Sequence, residues 1–260
     1  MKLEKKMLSK IQIDRYHKDG FVVPDFKMPE NILNKIEESH DRLLSNHPEF
    51  KNYCPAILSY DESFLEFCSD QTILNYVEQL IGPDFALWNS SFFAKPAIDG
   101  QATPWHQDGQ YWPIRPLATC TVWLAIDDSN LENGCLRFIK GSHLDKKLKS
   151  HNINDNKNLT LNQELDKKEF NEPEAVDLIL KRGQISLHDV YLVHGSEANK
   201  SSKSRRAITM RFMPTTSIFD HQMVKDKNLF SKLNVNKYAD RKIYHMRGKD
   251  VSGKNNLTYI

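Results

Sequence analysis

Apolar residues in the first third of the chain recur at the spacing of an α-helix. Behind Pro29, a residue favoured in the first helical turn, the apolar positions are Ile32, Leu33, Ile36, Leu43 and Leu44. A second set with the same spacing is Ile73, Leu74, Val77, Leu80 and Ile81. Asp70 is suited to cap the start of this second helix, and Gly82-Pro83 is suited to end it. The pattern predicts two helices in the first third of the chain.

From Phe85 onward the pattern changes to short runs that are rich in β-branched and aromatic residues and are separated by glycines. The predicted strands cover residues 85–95, 118–126, 136–139, 176–180, 184–187, 190–194 and 207–213. Many short strands with turn residues between them favour a sandwich, a jelly roll or a barrel. We therefore expect a mainly β fold with flanking helices.

The length of 260 residues is compatible with a single domain. We expect one domain over 1–260, with a helical N-terminal part over about 1–84 and a β-core over about 85–214. A polar C-terminal extension over 215–260 is expected to pack across this core. Residues 144–175 form a polar interruption rich in Lys, Asn and Asp. Such a long segment is either a functional lid beside a site or a solvated insertion, and both alternatives stay open.

Composition excludes several classes of function. Lys and Arg number 36 against 34 Asp and Glu, so the net charge of +2 does not suggest a nucleic-acid-binding protein. The apolar run 190–193 is far shorter than the roughly 18 residues that a membrane span needs. The four cysteines form no CxxC pair, and the basic N-terminal stretch has no apolar signal-peptide core. We expect reduced thiols and a cytoplasmic location, without nucleic-acid or membrane partners.

His106 and Asp108 form an H-x-D pair soon after the first long predicted strand. On an extended backbone, residues i and i+2 point to the same side, so both side chains can bind one metal ion while Gln107 points away. An isolated H-x-D pair is weak evidence, but His194 at the end of a predicted strand can supply a third ligand. Two histidines and one carboxylate are the facial triad of non-haem Fe(II) oxygenases.

Arg205 lies 11 residues after His194, at the start of the next predicted strand. A guanidinium group is suited to bidentate binding of a carboxylate near the metal. Arg206 and Arg211 are competitors for this role, although Arg206 should point to the opposite strand face. His188 is expected to be a core or supporting histidine rather than a ligand, and His143 is expected to form hydrogen bonds in a turn.

Several motifs in the same order give the chain a resemblance to the phytanoyl-CoA dioxygenase family of Fe(II)/2-oxoglutarate oxygenases. They are Asp19-Gly20-Phe21, Lys95-Pro96, Trp105-His106-Gln107-Asp108, Glu132-Asn133-Gly134, Gly141-Ser142-His143 and His194-Gly195-Ser196 with Asn199 and Arg205. The resemblance implies a double-stranded β-helix, a jelly roll of the cupin-like type. It further implies that His106, Asp108 and His194 bind Fe(II) and that Arg205 binds the distal carboxylate of 2-oxoglutarate. Ser196, Trp123 and, more weakly, Ser91 match positions that line the 2-oxoglutarate pocket.

The expected activity is therefore hydroxylation by Fe(II), 2-oxoglutarate and O₂, with succinate and CO₂ as co-products. The expected substrate is a small polar or anionic metabolite, for example an amino acid or a phosphonate. One alternative is an acyl-CoA or natural-product hydroxylase of the same family. Another is a protein that binds metal and 2-oxoglutarate without catalysis. The sequence predicts no particular oligomeric state.

Overall fold

The computed structural model describes residues 6–224 and 240–260. Its α-helices are α1 (Lys10–Asp19), α2 (Glu30–Asn46), α3 (Gln71–Ile81) and the short α4 (His221–Val224). The two predicted helices correspond to α2 and α3 and are confirmed. Helix α1 was not predicted, although Ser9 and Gln12 form a capping box at its start. Its apolar positions are few, so the periodicity is weak there.

The strands in chain order are β1 (Phe21–Val22), β2 (Tyr53–Cys54), β3 (Phe85–Lys95), β4 (Thr103–His106), β5 (Ile114–Arg115), β6 (Cys120–Ala125), β7 (Leu136–Phe138), β8 (His151–Ile153), β9 (Gln163–Leu165), β10 (Val176–Leu178), β11 (Ile185–Asp189), β12 (His194–Ser196), β13 (Arg205–Pro214), β14 (Ile218–Phe219), β15 (Ile243–Arg247) and β16 (Leu257–Thr258). Six of the seven predicted strands overlap an observed strand closely. The exception is the run 190–193, which is a turn that leads into β12. Its apolar side chains are buried without being part of a sheet.

The strands form two main sheets that enclose the site described below. The larger sheet has the order β1-β11-β6-β13-β3-β15-β16, with β2 also paired to β3, and the smaller sheet has the order β10-β7-β12-β4. Neighbouring strands are antiparallel except β15 and β16. The expected jelly roll with flanking helices is confirmed. The C-terminal extension joins the larger sheet because β15 pairs with β3.

Alternation along the central strands of the larger sheet sends side chains to two different environments. On β6, Val122 and Leu124 belong to the core cluster that also contains residues of the three long helices. Trp123 and Ala125, the residues between and after them, pack instead with residues of the smaller sheet, such as Phe138. One face of this sheet is therefore covered by helices and the other by the second sheet, so all of β6 is buried.

The polar segment 144–175 is more ordered than its composition indicates. It contains a two-stranded sheet, formed by β8 and β9, which lies against β4. The four cysteines are free and buried, as expected. Within residues 6–224 and 240–260, no helix has the length and apolar character needed to cross a bilayer.

The N-cap of α3 gives a direct test of how local sequence signals contribute to stability. The Asp70 carboxylate accepts hydrogen bonds from the Thr72 and Ile73 amides at 2.9 and 3.0 Å. We expect D70A to lower the free energy of unfolding by about 1 kcal/mol, because these amides then lose their partner. The control is D14A, which removes an exposed ion pair with Lys10 and should cost less than about 0.5 kcal/mol. Urea unfolding followed by circular dichroism measures both, and equal losses would contradict the capping role.

Candidate metal centre

The pairing of β4 with β12 brings two distant histidines side by side. His194 lies directly opposite His106 in the antiparallel register of these strands. Their ring centroids are 4.2 Å apart, and both side chains are buried. Strand register, which the sequence alone did not specify, thus places the first and third predicted ligands together.

Asp108 reaches the same point from the turn that follows β4. Gln107 keeps an extended backbone, so Asp108 still points to the side of His106 as predicted, although a 3-10 turn begins at Asp108. The Asp108 Oδ1 atom lies 3.6 Å from His106 Nε2 and 3.9 Å from His194 Nε2. One potential ligand atom from each of the three residues lies within 4.8 Å of the others. The structure therefore brings the predicted triad together.

The hydrogen bonds of the two histidines involve Nδ1 and leave Nε2 of each ring available to bind a metal. His106 Nδ1 lies 2.8 Å from the Pro104 carbonyl, and His194 Nδ1 lies 2.9 Å from the Leu192 carbonyl. A carbonyl oxygen only accepts, so each Nδ1 carries the proton and donates. In a neutral imidazole the Nε2 atom then has a free lone pair. Burial, followed by the neighbouring His106, lowers the pKa of His194 well below its ordinary value, which favours this neutral form.

The other carboxylate oxygen of Asp108 is held by the larger sheet. Thr121 donates a hydrogen bond of 3.2 Å to Asp108 Oδ2, and His188 Nε2 lies 3.6 Å from the same oxygen. Arg211 Nη2 lies 3.8 Å from Oδ1. Burial raises the pKa of this carboxyl group, but the Arg211 charge and the contacts with His106 and His188 outweigh burial and hold it well below the ordinary value. Asp108 is therefore ionised and oriented.

Arg205 lies on the inner face of β13 and has hydrogen-bonding capacity to spare. Its side chain is 1% exposed, and its guanidinium lies over the Trp123 ring at 5.3 Å. Nη2 donates to the Gly134 carbonyl, whereas Nε and Nη1 have no hydrogen-bond partner among the described residues. Burial lowers the pKa of Arg205 to about 10, so the group still carries its charge at neutral pH.

Lys95 adds a second buried cation beside Arg205. The two residues are direct partners in the β3–β13 register, and the Lys95 ammonium donates to the Gln101 carbonyl. Burial, with the Arg205 charge as the next cause, lowers the pKa of Lys95 well below its ordinary value. Two buried cations that lie side by side are suited to bind one anion between them.

The residues present fit both Fe(II) and the distal carboxylate of 2-oxoglutarate. One cavity between the sheets is lined by the triad and by Arg205, Trp123 and Ser196. The buried Ser196 hydroxyl also has no partner within the described part of the chain. Unused donors in a buried cavity indicate that an acceptor binds there. The cavity is narrow, about 20 Å³, so the side chains around it must separate to admit a ligand of this size.

Three further expectations can be compared with the structure. Arg206 points to the opposite face, as predicted, where it forms ion pairs with Asp127 and Glu37. His143 forms a hydrogen bond to the His17 carbonyl, as expected for its turn. Ser91 does not line the narrow cavity itself: its hydroxyl accepts a hydrogen bond from Arg211 Nη1 and donates one to the Pro55 carbonyl, and its backbone carbonyl accepts one from Thr209.

The sequence analysis missed Thr121 and Thr209 of the inner sheet face, and it did not place Arg211 beside Asp108. The cavity is also lined by Thr121, His188, Thr209 and Arg211. Arg205, Thr209 and Arg211 share one strand face because Thr209 lies four residues after Arg205 and two before Arg211 on β13. Alternation along this strand was the sequence signal that could have identified these residues. The structure places Arg211 beside Asp108, one of the predicted ligands, in the cavity that Arg205 also lines.

The segment 144–175 is tied to the backbone between the first two ligands. The Gln107 side chain is fully buried. Its Nε2 donates to the Lys147 and Tyr191 backbone carbonyls, and its Oε1 accepts from the Lys149 backbone amide. The backbone amide of Gln107 donates to His151 Nε2 at 3.0 Å. Gln107 therefore connects the ligand turn to this segment, which explains why its side chain points away from the metal site.

Comparisons with known proteins identify the family of the chain and relatives of its fold. The sequence model of the family described as phytanoyl-CoA dioxygenase (PhyH) matches residues 16–207. A phytanoyl-CoA dioxygenase domain-containing protein 1 homolog from Dictyostelium discoideum is 32% identical over 160 residues, 61% of this chain and 57% of that protein. The peroxisomal phytanoyl-CoA dioxygenase of Homo sapiens is 31% identical over 158 residues, 58% of this chain and 46% of that protein.

Solved structures share the fold. The epimerase SnoN, solved with Fe3+, alpha ketoglutarate and nogalamycin RO, superposes with a TM-score of 0.67 at 20% identity, over 81% of this chain and 85% of that chain. The chain spans about half the length of the curated relatives it matches. The family match covers most of the chain and includes His106, Asp108, His194 and Arg205. The chain therefore belongs to the phytanoyl-CoA dioxygenase family.

Proposed function

We propose that this chain is an Fe(II)/2-oxoglutarate-dependent oxygenase that hydroxylates a small polar or anionic metabolite. The observation that carries the proposal is the triad His106, Asp108 and His194, whose ligand atoms lie within 4.8 Å in the same cavity as Arg205. Family membership supports the reaction class. The structure of SnoN in complex with Fe3+ and alpha ketoglutarate supports the cofactor and co-substrate.

Each side chain has a defined task in this proposal. The Nε2 atoms of His106 and His194 and Oδ1 of Asp108 hold Fe(II) and leave other coordination positions open. Arg205 Nε and Nη1, with Ser196 and Lys95 nearby, bind and orient the distal carboxylate of 2-oxoglutarate. When bound, Fe(II) with 2-oxoglutarate and O₂ supplies the oxidising chemistry, with succinate and CO₂ as co-products. The apolar residues behind Trp123 exclude water from this space.

Two alternatives lead to different experimental results. An acyl-CoA or natural-product substrate is suggested by the names of the human relative and of SnoN. The polar side chains along residues 154–163, which line the cavity beside the metal site, favour a smaller polar compound. A protein that binds metal and 2-oxoglutarate without turnover is the second alternative. The proposal also includes a cytoplasmic location and no nucleic-acid partner, which the buried free cysteines and the near-neutral charge support.

Anaerobic titration tests the proposed reaction class directly. We expect a metal-to-ligand charge-transfer band when 2-oxoglutarate is added to the Fe(II)-loaded protein, and succinate formation once O₂ is admitted. Absence of the band would contradict the proposal. A band without any succinate, with or without added small metabolites, would favour the non-catalytic alternative.

The triad assignment predicts different losses of metal affinity for neighbouring histidines. H106A and H194A should abolish stoichiometric Fe(II) or Co(II) binding, because a facial triad has no spare protein ligand. H188A should retain stoichiometric binding with an affinity reduced by no more than about 10- to 100-fold, because His188 contacts Asp108 and His194 without being one of the three proposed ligands. Isothermal titration with Co(II) measures these affinities. If H188A loses the metal and H194A keeps it, the third ligand is assigned incorrectly.

The Arg205 assignment predicts a specific loss of 2-oxoglutarate affinity. Lysine cannot reproduce the bidentate fork, so R205K should raise the Kd for 2-oxoglutarate by about 10- to 150-fold, the equivalent of one lost charged hydrogen bond. The matched control is R206K on the same strand, which alters contacts with Asp127 and Glu37 on the far face and should change this Kd little. Titration of the charge-transfer band gives both constants. Equal effects of the two substitutions would remove the case for Arg205.

A further inference from the structure

A second, larger cavity opens beside the metal site. Its volume is about 540 Å³, and it shares Phe93, His106, Asp108 and Arg211 with the narrow cavity between the sheets. One wall is the polar stretch 154–163, and another contains the aromatic side chains of Tyr111 and Trp112. A substrate in this cavity would lie next to the metal ligands. The four shared residues form the boundary that it would meet.

Arg211 is the buried cation at this boundary. Its side chain is 4% exposed, and its guanidinium lies 5.2 Å from the Trp112 ring centroid and 6.0 Å from that of Phe93. Nη1 donates to Ser91 Oγ at 2.6 Å, and Nη2 faces Asp108, whereas Nε has no hydrogen-bond partner in the described residues. The guanidinium is therefore held in place with part of its donor capacity unused.

Ser91, which accepts the hydrogen bond from Arg211 Nη1, is itself held by further hydrogen bonds. Asn89 donates to Ser91 Oγ at 3.2 Å, and both side chains donate to the Pro55 carbonyl. Asn89 and Pro55 also line the larger cavity. This network orients Arg211 from the side opposite Asp108.

A charge count shows why Arg211 needs another anion once the metal site is loaded. Without metal, the Asp108 carboxylate balances Arg211. Around Arg211, Fe(II) and the guanidinium would carry three positive charges, while Asp108 and the metal-binding carboxylate of 2-oxoglutarate would carry two negative charges; Arg205 and Lys95 lie together and would face the distal carboxylate. One buried positive charge is then uncompensated. The carboxylates of Glu49 and Asp155 belong to exposed residues, so water screens them.

We propose that the substrate is a small organic carboxylate whose anionic group binds Arg211 and whose apolar part packs on Phe93 and Trp112. The inference rests on the proposed function and specifies its substrate class. The single uncompensated charge matches a monoanion, and the flanking rings match an alkyl or aryl body. A dianionic phosphonate would reverse the imbalance instead of removing it.

Calorimetry with the 260-residue protein saturated with Ni(II) and 2-oxoglutarate tests this inference without turnover. The probes are phenylacetate, 3-phenylpropionate and hexanoate, each beside its primary amide, with benzylphosphonate as the dianionic comparison. At least one acid should bind saturably, and each acid should bind more tightly than its amide. Amides that bind as tightly as the acids would overturn the inference, and so would tighter binding of benzylphosphonate or no saturable binding of any acid.

Variants then assign the effect to Arg211. R211Q should weaken binding of the acid by about 10- to 150-fold and leave amide binding unchanged. The control K157Q alters an exposed cation at the cavity wall and should have little effect. Unchanged acid binding by R211Q overturns the role of Arg211. If R211Q loses nickel, the acid–amide comparison in the wild-type protein still decides the substrate class. Failure of Ni(II) or 2-oxoglutarate to bind the wild-type protein would instead contradict the proposed function itself.

Discussion

The buried carboxylate of Asp108 is the constraint on which the site depends. A carboxylate with little exposure is costly unless cations and donors surround it. Here the partners come from separate strands: His106 from β4, Thr121 from β6 and Arg211 from β13. Holding this one charge therefore requires both sheets to be in register. The same arrangement presents Oδ1 between the two histidine Nε2 atoms, so the requirement for stability and the requirement for metal binding coincide.

The jelly roll satisfies this constraint through simple alternation. On each central strand of the larger sheet, one set of side chains packs on the helices and the other set faces the smaller sheet. The first set is apolar, as on β13 with Ile208, Met210 and Phe212. The second set includes Arg205, Thr209 and Arg211, which are buried and polar. A strand that carries charges on a fully buried face is unfavourable for stability alone, which indicates that the inner face is used for binding.

Much of this could be predicted from local sequence, and the remainder depends on contacts between distant segments. The helices α2 and α3 and most strands follow from periodicity and caps, and the spacing of His106 and Asp108 follows from strand alternation. The turn at 190–193 could not be predicted, because an apolar run is buried equally well in a turn and in a strand. The contact of Ser91 with Arg211 depends on pairing of β3 with β13. Register of that kind leaves no signal in one sequence.

Arg205 and Arg211 lie on the same strand, β13, but their positive charges are compensated differently. Arg205 lies deep between the sheets beside Lys95, where two adjacent cations favour a strongly anionic group. Arg211 lies six residues along β13, where Asp108 already compensates part of its charge. Because alternation repeats every two residues, both guanidinium groups point inward from the same strand, on either side of Thr209. The predicted ligands His106, Asp108 and His194 line the same cavity. Arg205, Thr209 and Arg211 thus line one cavity from a single strand, and the segment that Gln107 binds lines the neighbouring cavity, which shares Arg211 with the first.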